Sequence, residues 1–136
     1  MKTQHFIYCL AIVAVFFTAC KKDTDYRDKW TGSYDCEEKY DRWDGAGNHE
    51  IKMYQVNVIV TTKGDELIDF FENRREQHYE VRISKDGSFY ETDETGSRLK
   101  FEGKFHSDSL ILTVYHALSP ASSDISYYKG KKNKSN

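Results

Sequence analysis

The chain has 136 residues and a near-even charge balance, 20 Lys and Arg against 22 Asp and Glu, for a formal net charge of −2. A length of this order suits one domain with a single core. The slightly acidic balance argues against nucleic acid as partner, since phosphate binding needs a basic surface.

At the N-terminus Lys2, with partial help from His5, supplies a positive end, Phe6 to Phe17 is an apolar run, and Thr18 and Ala19 are small. These are the three parts of an export signal. A membrane span needs roughly 20 apolar residues, and a run of about 10–14 is more typical of a signal core. The tetrad Phe17-Thr18-Ala19-Cys20 resembles the lipobox of bacterial lipoproteins, with Phe17 where that family usually has Leu or another aliphatic residue. The resemblance implies cleavage before Cys20 and attachment of palmitate-type lipid to it. It also implies a place in the bacterial cell envelope, anchored by lipid at the outer membrane and facing the periplasm or the surface. Plain secretion, with Cys20 there by coincidence, is the alternative. The Lys21-Lys22-Asp23-Thr24-Asp25 stretch is similar to the start of many Bacteroidota lipoproteins, and also to any solvated linker.

Without residues 1–19 the chain has 117 residues (136 less 19), and loss of Lys2 alone moves the charge from −2 to −3. Cys9 leaves with the signal and Cys20 carries lipid, so Cys36 has no intramolecular partner. Residues 20–28 read as a lipidated tether, 29–129 as a β-domain and 130–136 as a disordered basic tail.

From Lys29 a period of two dominates. Trp30, Gly32, Tyr34, Cys36, Glu38 and Tyr40 share one face, which makes Cys36 a buried, inert thiol. Asp41 to Asn48 is a loop by composition and contains Trp43. Tyr54, Val56, Val58 and Val60 align in a second strand, and Lys63-Gly64 turns the chain. Leu67 to Phe71 is a short apolar run, inside a segment from Glu66 to Glu76 that could also form a helical turn. Asn73-Arg74-Arg75 is a polar break, and Tyr79, Val81 and Ile83 alternate with polar neighbours. Lys85-Asp86-Gly87 is a hairpin turn, followed by Phe89 to Glu91 and a close at Thr95-Gly96. Leu99, Phe101, Gly103 and Phe105 face the same way. Ser107-Asp108-Ser109 turns, and Leu110, Leu112 and Val114 return. Pro120 marks a loop, and Ile125 to Lys129 is the last strand. Gly32 and Gly103 stand where strands bulge or bend.

About eight closely spaced strands predict an all-β fold, an up-and-down barrel or, as the alternative, a β-sandwich. Gly32-Ser33-Tyr34 after Trp30 and the Phe101-x-Gly103-x-Phe105…Asp108-x-Leu110 hairpin resemble small lipocalin-like domains. Lipocalins carry Gly-x-Trp in their first strand, and here Trp30 precedes the glycine.

No catalytic or metal-binding motif stands out in the chain. His49, His78, His106 and His116 show no pair at i, i+2 or i, i+4. The Asp41, Asp44, Gly45, Gly47, Asn48 loop lacks the order of a calcium loop. Ser107 to Ser109 beside His106 cannot converge as a nucleophile and base must. We therefore expect no enzyme activity, no metal and no cofactor.

Tyr34, Tyr54 and Phe101 lie on inward faces, where they either fill the interior or line a cavity, and Trp43 is a candidate contact residue in its loop. The function expected is a lipid-anchored, non-catalytic binding or structural domain. It is attached to the membrane through lipid alone and monomeric. The alternatives are a carrier of a small apolar ligand, or an inhibitor-like lipoprotein that meets another protein through its loops.

Overall fold

A computed structural model describes residues 25–92, 99–119 and 121–134. The signal, Cys20, the residues up to Thr24, the close at Thr95-Gly96 and Pro120 lie outside the described residues.

The protein is all-β, with eight antiparallel strands in sequence order: β1 (Gly32–Trp43), β2 (His49–Lys63), β3 (Leu67–Glu72), β4 (Gln77–Arg82), β5 (Ser88–Thr92), β6 (Leu99–His106), β7 (Ser109–Ser119) and β8 (Ser122–Lys132). Each strand pairs with the next except β4 with β5, and β1 also pairs with β8, giving the order β4-β3-β2-β1-β8-β7-β6-β5. The result is a nearly closed up-and-down barrel, consistent with the lipocalin-like expectation. A bridge between Ile83 and Phe89 joins the two edge strands beside the β4–β5 turn.

Alternation decides which side chains go inside. On β1, Tyr34, Cys36 and Glu38 are buried while Asp35, Glu37 and Lys39 are exposed. On β2, Val56, Val58 and Val60 are buried, and their branched side chains suit a pleated, half-buried surface. The segment from Glu66 to Glu76 is a strand and a turn, since β3 buries Ile68, Phe70 and Glu72 at period two.

The strands differ in length, and this gives the barrel two unlike ends. At the end where β1 begins, a single 3-10 turn (Asp28–Trp30) places Trp30 under the strands. Trp30 stacks on Phe105 at 5.1 Å, and the Tyr34 hydroxyl donates to the Trp30 carbonyl at 2.9 Å. Phe70 packs on Phe89, Phe101 and Phe105 with ring centroids 4.9, 5.2 and 5.7 Å away. Aromatic contacts at this spacing fill the space that a hollow barrel would leave open. At the opposite end, β1, β2, β7 and β8 continue beyond the short strands β3, β4 and β5, and the wall on that side stands higher.

Both proposed boundaries move. The chain is built into the domain from Asp25: the buried Arg27 side chain pairs with Asp25 and donates to the carbonyls of Leu67 at 2.7 Å and Gly64 at 3.0 Å. The Tyr26 hydroxyl donates to the Ile83 carbonyl at 2.8 Å. At the other terminus, residues 130–132 are strand and not disordered tail, because β8 pairs with β1 and β7 through Lys131. Gly130 is buried, and a Cβ there would run into the Cys36 sulfur and the Asp35 carbonyl. The basic composition of this stretch describes its outward side chains. Its backbone closes the barrel.

Candidate functional site

The interior changes character toward the taller end, the mouth. Glu38 is the next inward residue after Cys36 and is 0% exposed, where an unpaired carboxylate would be prohibitively costly. The β3–β4 turn supplies its partners. Buried Glu72 accepts hydrogen bonds from the backbone N–H groups of Arg74 at 2.6 Å and Arg75 at 3.2 Å, and Glu76 completes the turn with φ of 53°. Tied down in this way, the turn sends both arginines inward. Arg74 meets one Glu38 oxygen at 2.7 Å and Arg75 the other at 2.6 Å.

Arg75 makes further contacts through its terminal nitrogens and its ring-facing side. It donates to Ser126 Oγ at 3.0 Å and to the Tyr128 hydroxyl at 3.1 Å, and its guanidinium lies 5.0 Å from the centre of the Tyr40 ring. Arg74 lies over the Tyr54 ring at 4.1 Å. Burial pushes the Tyr128 hydroxyl far above its ordinary range, with the Glu38 charge adding to it. Burial also raises Tyr79, whose hydroxyl donates to Gln77 at 2.5 Å. Burial again raises Tyr40, helped by a hydrogen bond to the Asp124 carboxylate.

Above this network is a pocket of about 120 Å³ that opens at the mouth. Arg75 and Ser126 form its floor beside Val114, and Tyr40, Gln77 and Tyr79 form its sides. His116 and Asp124, cross-strand partners on β7 and β8, form its rim. Asp124 Oδ1 is buried and has no hydrogen-bond partner. Arg42 approaches that oxygen at 3.8 Å from a half-exposed position, an ion pair without a hydrogen bond.

The residues singled out in the sequence fall elsewhere. Tyr34 and Phe101 are 0% and 2% exposed in the packed aromatic half. Tyr54 packs at the edge of the core beneath Arg74. None of the three lines the mouth pocket. Trp43 is not in the loop proper. It ends β1, pairs with His49 and Ser123, and is 57% exposed on the outer side of the tall wall. Cys36 is buried, and that burial, with the nearby Asp35 charge, pushes its thiol up to about 12.

No family model, curated protein or solved structure matches the chain.

Tyr90, Tyr115, Tyr127 and Ile125 border an open concavity of about 610 Å³ on the outer face of β5 to β8. Among the described residues, no three His, Cys, Asp or Glu side chains are grouped to hold a metal ion. Sequence reasoning missed the mouth, although one signal was available: Glu38 occupies an inward position in an otherwise apolar alternation.

Proposed function

We propose that the protein is an envelope lipoprotein, tethered by lipid on Cys20, whose β-barrel is a non-catalytic binding domain with its site at the polar mouth. The observation that carries this reading is the division of the interior. Aromatic side chains fill one half. The other half holds the buried Glu38 with its partly exposed partners Arg74 and Arg75, beside an open pocket. A buried ion cluster contributes less to stability than well-packed apolar side chains of the same volume, which supports a role in shaping a site. The arrangement suits the tether as well. Asp25 and Arg27 lie at the closed end, so a chain anchored upstream presents the mouth away from the membrane.

Mass spectrometry of the mature N-terminus, with membrane fractionation, tests the anchor. We expect a lipid-modified Cys20 at the N-terminus and release of the Cys20→Ser variant into the soluble fraction. An intact Met1, or an unmodified Cys20, would overturn it.

A second reading, contact with another protein, is favoured by Trp43, Ile51 and Met53, all more than half exposed at the tall end of β1 and β2. If it holds, Trp43→Ala abolishes capture of the partner and leaves the mouth intact.

A further inference from the structure

We propose that the mouth pocket takes an alkylammonium group, held by the carboxylate of Asp124 between Tyr40, Tyr79 and His116. The inference rests on the reading of the mouth as the binding site and names the ligand's chemistry. It follows from the charges lining the pocket. Arg75 is the lining cation, and its two terminal nitrogens are engaged: Glu38 faces it at 2.6 Å, and Ser126 and the Tyr128 hydroxyl accept hydrogen bonds from it. An incoming anion would find those terminal donors occupied and the buried carboxylates of Glu38 and Glu72 close to the same guanidinium.

Asp124 is the lining carboxylate, and its position is the reverse. The Tyr40 hydroxyl bonds this carboxylate without bringing any charge to it, and its Oδ1 stays buried without a hydrogen bond, an unfavourable state for a polar atom and more so for a charged one. Arg42 neutralises it only in part, from 3.8 Å and with its side chain half exposed. The unmet demand of the pocket is thus for a cationic hydrogen-bond donor. The Tyr40 and Tyr79 rings already meet Arg75 and Phe101, so these walls shape the space and the Asp124 carboxylate supplies the attraction.

The volume limits the rest of the ligand. A cavity of about 150 Å³ holds a benzene ring, so about 120 Å³ accepts an ammonium and a short carbon chain. A free small amine and the end of a lysine side chain both supply that group.

Isothermal titration of the whole protein in detergent, with n-butylammonium, capped lysine and n-butyrate as probes, tests the proposal. We expect n-butylammonium to bind and n-butyrate, its anionic counterpart, not to. Asp124→Asn should weaken the amine about tenfold or more, as loss of a desolvated charge partner does, and Arg42→Ala should strengthen it by removing the competing cation. The second effect has the opposite sign to any structural damage. Capped lysine binding as well as n-butylammonium points to a protein lysine as the source, and n-butylammonium alone to a free amine. Butyrate binding that is blocked by the plugging variant His116→Trp overturns the ammonium class and leaves the mouth as the site. Amine binding that His116→Trp leaves untouched overturns the mouth itself, and binding of neither probe overturns the ammonium site.

Discussion

Glu38 carries two opposite physical effects on one side chain. Its burial costs desolvation, and the two arginines offset that cost only while both ends of each pair are present. Glu38→Gln should therefore destabilise the protein by about 3–5 kcal/mol, since it leaves Arg75 half-buried with its charge uncompensated. Joint replacement, Glu38→Leu with Arg75→Met, should recover most of that loss. Urea unfolding measures both, and equal loss in the single and paired variants would contradict the account.

At the surface Asp86 gives a pH test. The Ser88 hydroxyl at 2.7 Å, the Ser88 N–H at 3.1 Å and Lys104 at 3.3 Å hold its carboxyl down to about 2 from an ordinary 3.8. Because the folded value lies below the unfolded one, the contribution is complete above about pH 4 and disappears as pH falls through about 2. Asp86→Asn should then lower the urea midpoint at pH 6 and converge with the parent by pH 2. A difference that stays constant over that window would exclude this origin. At this scale the sequence was informative where a residue obeys its own alternation. Cys36 could be assigned to the interior from its neighbours. Glu38 sat on the same face, but its partners come from a turn 36 and 37 residues away, and no local pattern carries that contact.

Among the elements, the turns were legible and the ends of strands were not. Lys63-Gly64, Lys85 to Gly87 and Ser107-Asp108 turn the chain where their composition says they should, since Gly64 and Gly87 have φ of 54° and 87°. Ser107 takes φ of 55° with a side chain attached, a conformation that disfavours any residue but glycine, Asn or Asp. Ser107→Gly should raise stability by about 0.5–1 kcal/mol, read as a higher urea midpoint with unchanged slope. A lower midpoint would show that the serine side chain supports the turn. The β1–β2 loop and the C-terminal strand were harder to read. Arg42 and Trp43 are paired on both sides by β2 and β8, and Lys131 is paired by β1 and β7. Polar, charged stretches become strand when distant partners supply the hydrogen bonds, and composition cannot display those partners.

For the molecule as a whole, the meander and the closure of β1 on β8 give a scaffold with one solid end and one polar end. The all-β barrel followed from strand spacing and alternation. The division between the ends did not, because it depends on strands of unequal length and on a turn that folds inward over the mouth. That division is the basis for placing function at the mouth and not among Tyr34, Phe101 and their aromatic neighbours. The most direct test is an amide NMR titration of the protein with n-butylammonium. The account predicts chemical-shift changes centred on Arg75, His116 and Asp124, with Phe70 and Phe105 unmoved. Changes centred on Phe70 and Phe105, or on Tyr90 and Tyr127 of the outer concavity, with the mouth silent, would contradict it.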